Sequence, residues 1–465
     1  MNSNTSIKRA ALLVACTSSF LIPFVSSSVN IALPTIGIEF GSNALILAWM
    51  STAYLLAAVT CLIPFGRIAD IFGRKRLLII GMSIYSLASL ACTLAPSDKL
   101  LIAFRCMQGA GAAIFFGPSL AILTSVFPKS ERGKAMGISV AFVYLGLSLG
   151  PWLGGVMTKH IGWRSIFVFN VASGLFVVLL VLWKLKGEWA DAKGERLDVA
   201  GALIYGVSLV ATLMGFSNLT KNYGPWLFAA GLLGLLSFLV WETKSGSPLF
   251  NVSLLLRNRT FAFSNAAALI NYMATFATTF LMSLYLQQVR GMDPGDAGKI
   301  MLVQAAMQAL FSPLAGRLSD RIEPRVVSSF GMALTTFGLV LLAYLEAESA
   351  TGFIILALAL VGTGYGTFSS PNTNAVMSSV DKKYYGIASA SVSTARMVGM
   401  TFSMGLVMLF LSINIGDAAV TVENQAGFVR AMRFSFSLCA ALCAVGVFAS
   451  LSRGKVHGSQ PLPQQ

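Results

Sequence analysis

Gly66-Arg67-Ile68-Ala69-Asp70-Ile71-Phe72-Gly73-Arg74-Lys75-Arg76 decides how this chain is read, because much of it occurs twice. Gly66, Arg67, Asp70, Gly81 and Met82 return 250 residues later as Gly316, Arg317, Asp320, Gly331 and Met332. Gly109, Gly111, Pro118, Gly133 and Gly146 return 253 residues later as Gly362, Gly364, Pro371, Gly386 and Gly399. The chain is therefore two copies of one unit. The sequence around these positions is almost wholly apolar, so each copy reads as a bundle of membrane helices, and duplicated bundles around a midplane site are the plan of secondary transporters.

Composition agrees. Of 465 residues, 56% are hydrophobic and only 11% charged, and the mean hydropathy is +0.75; a soluble domain of this length has no core large enough for them. Apolar runs of spanning length fall near 10–33, 45–65, 77–95, 100–127, 135–157 and 165–185, then 199–217 and 225–241, then 261–288, 297–318, 326–345, 352–378, 384–413 and 428–451. The expected fold is an all-α membrane protein of fourteen transmembrane helices in a 6+2+6 order, with pseudosymmetric halves. Its expected parts are an N-terminal bundle (1–186), an inserted hairpin with flanking loops (187–260), and a C-terminal bundle with a short tail (261–465). Lys8 and Arg9 precede an apolar run with no convincing cleavage site, so a first span rather than a removed signal peptide is expected.

The net charge of +15 raises the question of nucleic acid, but the basic residues do not gather on one aromatic-interleaved surface. They occupy short loops on alternate sides. Twenty-three of the 33 fall in loops on the side of the termini and eight in the opposite loops, which places both termini in the cytoplasm. Arg105 and Arg396 are left over, inside apolar helices. The six cysteines lie in apolar runs, and Cys439 and Cys443, four apart, have no histidine nearby, so packing rather than metal binding is expected. No cofactor is called for. The expected partners are a small amphiphilic substrate, the bilayer and, as a candidate, protons, with the chain acting as a monomer.

Three motifs suggest a mechanism. In Gly66–Arg76, Gly66 would let helices approach closely, while Asp70 can accept from helix amides or the basic groups around it. With Arg67, Gly73 and Arg74 this makes a candidate cytoplasmic gate, and Gly316, Arg317 and Asp320 are its partial copy. The copy has Glu323 and Pro324 where glycine would be expected, so the two need not latch equally. The fourth span carries Arg105-Cys106-Met107-Gln108-Gly109. An arginine at that depth must face protein or water, either as a site residue or tying helix backbones together through its five donors. The fifth carries Gly146, Gly150, Pro151, Gly154 and Gly155, a flat seam with a bend, suited to a hinge between rocking bundles. Asn30, Gln108, Asn271, Asn372 and Asn374, with Tyr54, Tyr144 and Phe276 as aromatic walls, are the polar and aromatic residues expected along the cavity beside Arg105 and Arg396.

These elements resemble those of the major facilitator superfamily: the Gly-x-x-x-Asp loop, the Arg-x-x-Gln-Gly element and the antiporter motif of its exporters. Arg196-Leu197-Asp198 before the seventh span, Gly362–Asn374 in the twelfth and the count of fourteen resemble the drug:proton antiporter branch that includes bacterial multidrug exporters. The resemblance implies export of small amphiphiles or drugs by alternating access, with proton antiport, in a bacterial cytoplasmic (inner) membrane. One departure matters. The branch carries an Asp nine residues before the proline of Asn30-Ile31-Ala32-Leu33-Pro34, and here that position is Val25. None of the 18 acidic residues reads as mid-membrane, and His160 and His457 read as surface groups. A proton-coupled exporter of cations ordinarily uses a buried carboxylate. Coupling would then fall to Asp70, Asp198, Asp320 or Glu39, and a cavity with arginine but no acid should favour neutral or anionic amphiphiles. An uncoupled facilitator or a flippase of lipid-like substrates is the alternative. There is no GxxxxGK[ST] for ATP, no charge ring or filter for a channel, and no HExxH or GxSxG for an enzyme; the soluble segments are too short for a sensor.

Overall fold

The computed structural model describes residues 2–190, 192–246, 249, 258–319, 321–380, 385–416, 418, 420 and 422–454. Within them the chain runs through α1 (Asn2–Phe40), α2 (Ala44–Phe72), α3 (Arg74–Thr93), α4 (Asp98–Val126), α5 (Lys129–His160), α6 (Arg164–Lys184), α7 (Val199–Ser217) and α8 (Gly224–Lys244). It continues through α9 (Arg259–Thr275), α10 (Ala277–Leu284) with a π turn Tyr285–Val289, α11 (Pro294–Ser319), α12 (Pro324–Ala343), α13 (Thr351–Ser378), α14 (Tyr385–Asn414) and α15 (Gln425–Leu451). α9, α10 and the π turn form one span, Arg259–Val289. Thirteen spans are long and apolar enough to cross a membrane by length and composition. α11, which carries Gln304 and Gln308, completes the expected fourteen. The start of the 384–413 run, Asp320 and the tail 455–465 lie outside the described residues.

Local chemistry sets the helix ends. Asn43, Ser97, Asp198 and Asn258 cap α2, α4, α7 and α9 by accepting from backbone amides of the first turn, which satisfies donors a bilayer cannot. Within spans, Thr52, Ser86, Ser89, Thr212 and Thr275 donate to the carbonyl four residues back, hiding their hydroxyls from lipid.

The duplication is visible in packing. In the first half α1 packs on α5, α2 and α3 on α4, and α6 on α3; in the second α9 packs on α14, α11 and α12 on α13, and α15 on α12. Glycine explains the register. A Cβ on Gly81 would lie 2.7 Å from the amide nitrogen of Phe115, and one on Gly331 2.6 Å from that of Phe368. Likewise Gly109 backs onto the Tyr54 carbonyl, and Gly362 onto the carbonyl of Gln304, 250 residues on. α7 and α8 pair with each other, and α7 leans on α2 and α14.

One span departs from expectation. The run 261–288 is not a continuous helix: it breaks at Phe276, where the Ala277 amide donates to Ser403 Oγ of α14 at 3.0 Å, and it ends in the π turn. A neighbouring helix has taken a donor from the ladder, the usual origin of a kink without proline.

Candidate functional site: a vestibule between two halves

The halves meet through α5 with α11, α2 with α14, and α1 with α10. Call the membrane face at which α1 begins and α15 ends the terminal face, and the opposite one the distal face. Toward the distal face, Lys159 pairs with Asp293 at 3.0 Å, and Gly155 backs onto Pro294. Gly298 lies under Pro151, Gln287 donates to the Ile31 carbonyl at 2.9 Å, and Ser283 to that of Asn30 at 2.7 Å. Deeper in, Ser148 donates to the Ala305 carbonyl at 3.0 Å, and Ser312 to Tyr144 Oη at 2.9 Å. Tyr144 stands midway along α5. Among the described residues no cross-half hydrogen bond lies closer to the terminal face, so the polar contacts that join the halves gather on the distal side.

At the innermost contact five helices converge. Tyr144 comes from α5, Ser312 from α11, and Ser369, 3.5 Å from Tyr144 Oη, from α13. Tyr272 of α9 stands edge-on to Tyr365 of α13 with ring centroids 5.3 Å apart. The guanidinium carbon of Arg396, from α14, lies 5.9 Å from the Tyr272 ring. Arg396, Tyr144, Ser369 and Phe276 are only half-buried although each sits in mid-span, as expected for the wall of a vestibule.

The other expected cavity residues divide. Arg105 is 1% exposed and serves its own half: Nε donates to the Met50 carbonyl at 3.2 Å, Nη1 to Gln108, and the guanidinium stacks 4.4 Å from Tyr54. Gln108 passes the chain on to Ser89 at 2.7 Å. Arg105 thus ties α4 to α2 and, through Gln108, to α3, and it does not contribute charge to the vestibule. Asn30 is buried between the halves, accepting from Ser51 Oγ at 2.6 Å through its side chain and from Ser283 through its carbonyl. Neither polar atom of the fully buried Asn271 side chain has a hydrogen-bond partner among the described residues. Asn372 turns into the second half, where it accepts from Arg453 Nη1 at 2.7 Å and donates to the Ser264 carbonyl. Asn374 ties α13 to Ser319 of α11. Arg453, wholly buried beyond α15, staples α9, α12 and α13; burial and the nearby Arg325 both lower its proton affinity. Sequence reasoning missed it, and it missed Tyr272, Tyr365 and Ser312.

The α2–α3 loop, the candidate gate, is held by a strap absent from the expectations. Gly73, at φ +117°, turns the chain between α2 and α3, and its counterpart Glu323 sits at φ −47° ahead of Pro324, so only the first copy takes the glycine turn. The Glu188 carboxylate lies against Gly73 and accepts from the amides of Lys75 at 2.7 Å and Arg76 at 3.2 Å. The Arg74 amide donates to Trp189, Ala192 donates to Asp70, and Arg67 pairs with Glu195. Asp70 itself accepts from Arg74 Nε at 2.8 Å, and Arg74 reaches Ser125 of α4. Gly66 does not make the close helix approach expected of it: a Cβ there would meet nothing within 4 Å. Gly316 backs onto Ser370 and Arg317 is exposed. The α5 seam does pack tightly: Gly146 on Phe20 and Pro23, Gly150 on Ser27 and Gly154 on Ser28, all of α1.

Asp198 pins the hairpin, accepting from the Gly201 amide at 2.7 Å, Ser245 Oγ at 2.7 Å and Trp241 Nε1 at 2.8 Å. Burial alone would raise its pKa; these three donors outweigh burial and hold it below the usual aspartate value. Every described acidic residue lies at or near a helix end or in a loop, and Val25 is fully buried where the resembling branch has its acid.

Comparison with known proteins agrees with this architecture. The family model for the Major Facilitator Superfamily matches residues 15–404, with a second, overlapping match at 264–463. The riboflavin transporter RibZ of Clostridioides difficile is 29% identical over 96% of this chain and 97% of its own. The multidrug resistance protein Stp of Mycobacterium tuberculosis is 32% identical over 83% of this chain and 73% of its own. A crystal structure of a bacterial homologue of the human lysosomal transporter Spinster, in an inward-facing and unoccupied conformation, superimposes with a TM-score of 0.68 at 17% identity, covering 96% of this chain and 97% of that one. A duplicated helical bundle, a glycine-turned loop between α2 and α3 and family matches along nearly the whole length lead to one conclusion: this chain belongs to the Major Facilitator Superfamily of membrane transporters.

Proposed function

We propose that this chain exports small amphiphilic compounds by alternating access, as a secondary active transporter of a bacterial cytoplasmic membrane with both termini inside. The observation that carries the reading is the asymmetry of the interface: tight glycine-on-carbonyl contacts distally, and deeper in, half-buried Tyr144 and Arg396 backed by the buried rings of Tyr272 and Tyr365. Rocking of two pseudosymmetric bundles about such a wall would expose it to each face in turn. The excess of basic residues in the loops of the terminal face supports calling that face cytoplasmic. Relatives named for drug resistance and for riboflavin transport support a small organic substrate.

Proton coupling, if present, runs through groups at the helix ends, such as Asp70, Asp198 or Glu39, rather than through a mid-span acid. The same charge inventory favours a second reading, an uncoupled facilitator or a flippase of lipid-like molecules. Proteoliposomes holding the purified chain separate them: uptake of an amphiphilic dye that rises severalfold under an imposed pH gradient supports antiport, and uptake indifferent to the gradient supports the second reading. A dye flux equal to that of empty vesicles would refute both.

A further inference from the structure

Two arginines lie in mid-span, and they are not alike. Arg105 is consumed within its own half by the Met50 carbonyl, Gln108 and Tyr54. Arg396 stands at the interface, half-buried, and among the described residues no carboxylate pairs with it. The Tyr272 ring lies 5.9 Å from its guanidinium carbon, Tyr365 stands edge-on to Tyr272, and one turn along α13 from Tyr365, Ser369 meets Tyr144 of the other half. On α11, one turn from Ser312 and on the same face, the buried amide nitrogen of Gln308 has no hydrogen-bond partner among the described residues. The duplication makes the charge one-sided. Arg396 precedes Gly399 by three residues as Val143 precedes Gly146, so the equivalent position in the first half is apolar.

A guanidinium at this depth is tolerated only where something offsets its charge. Its planar fork matches a carboxylate or sulfonate with two parallel hydrogen bonds, and the tyrosine rings give flat apolar faces at edge-on and stacking distances. A cation entering the same space would meet a like charge in a medium of low dielectric. Building on the transporter reading above, we propose that this vestibule binds planar aromatic anions, with the acid group in the Arg396 fork and the rings among Tyr144, Tyr272 and Tyr365, and that it rejects cations of the same shape.

Fluorescein and rhodamine 123 share a xanthene frame and differ in charge, so they test this directly by fluorescence anisotropy with the purified full-length chain in detergent. The wild type should bind fluorescein at least tenfold more tightly than rhodamine 123. R396Q should weaken fluorescein at least tenfold, with R396K in between, because a point charge replaces a fork, and R396Q should bind rhodamine 123 better than the wild type does. Equal affinity for the two dyes, no fluorescein binding by the wild type, or unchanged fluorescein affinity in R396Q would overturn the inference; the first two need no variant to fold. The transporter reading fails separately. Fluorescein binding without flux in proteoliposomes would refute export and leave the anion site standing, whereas flux of rhodamine 123 as fast as that of fluorescein would do the reverse.

Discussion

Gly298 is where a single added carbon should change which face of the transporter is open. A Cβ on Gly298 would lie 2.5 Å from the Pro151 carbonyl oxygen and 3.2 Å from its carbon, against an ordinary contact of 3.4–4 Å. The neighbour is backbone and cannot rotate away, so α5 and α11 must part by about 1 Å, and overpacking of that kind costs about 1–3 kcal/mol. The cost falls only on the conformation closed at the distal face. With 1.4 kcal/mol per tenfold, G298A should move the population by about 5- to 150-fold toward the distally open conformation. Spin labels at His160 and Asp296, exposed on either side of this contact, would read the change by pulsed dipolar spectroscopy in a background without the native cysteines. The wild type should give a short distance, and G298A a longer one with slower flux. G137A is the control, because Gly137 lies in α5 with nothing within 4 Å of a Cβ; it gains the same helix propensity without the clash. An unchanged short distance in G298A, or an equal shift in G137A, would refute the claim that this contact closes one face.

Other perturbations separate scaffold from site. Arg105→Met removes charge-assisted bonds to Met50 and Gln108 and leaves Gln108 short of a donor, so stability should fall by about 2–4 kcal/mol, while fluorescein affinity stays within twofold; a stable R105M that loses the dye would place Arg105 in the vestibule after all. Glu188→Ala removes two bonds to the first amides of α3, a loss of about 1 kcal/mol, and should speed tryptic cleavage at Lys193 and Arg196; an unchanged rate would mean the strap holds without it. For Asp198 the folded pKa lies below the unfolded one, so its stabilisation is present above the unfolded value and is lost as pH falls through the folded value. The gap in melting temperature between wild type and D198N should therefore be steady near neutrality and close only at and below the ordinary aspartate range. A gap that closes near pH 6 would contradict that assignment.

The repeat was legible in the sequence because its glycines do work that no other residue can. Gly81 with Gly331, and Gly109 with Gly362, let one helix back onto the backbone of the next at equivalent places in both halves, and each leaves a letter at a fixed offset. Spans were legible from apolar length alone, since lipid requires it. The break at Phe276 was not, because neither proline nor glycine marks it; its cause is a serine 126 residues away in sequence. The gate strap was equally hidden, since Glu188, Trp189 and Glu195 read as an ordinary polar linker until the fold lays them on the α2–α3 turn.

The site was half legible for a related reason. Composition can say that Arg105 and Arg396 are in mid-span, but these spans are apolar on most faces, and helix rotation decides which way a side chain looks. Asn372 and Asn374, read as cavity amides, belong to the Arg453 staple and the α11–α13 seam, while Tyr272 was overlooked beside Asn271 and Tyr365 between Gly364 and Gly366. Carboxylates at the helix ends pair, cap and pin: Asp70 with Arg74, Glu195 with Arg67, Asp293 with Lys159, Asp198 across the hairpin. They tie down loops and helix ends, and among the described residues no carboxylate pairs with Arg396. A buried guanidinium satisfied by its own bundle is scaffold, and one left open at a moving interface draws a counter-charge from whatever enters. It is therefore the position of Arg396 between the halves, rather than the presence of arginine in a membrane helix, on which the proposed preference for anions rests.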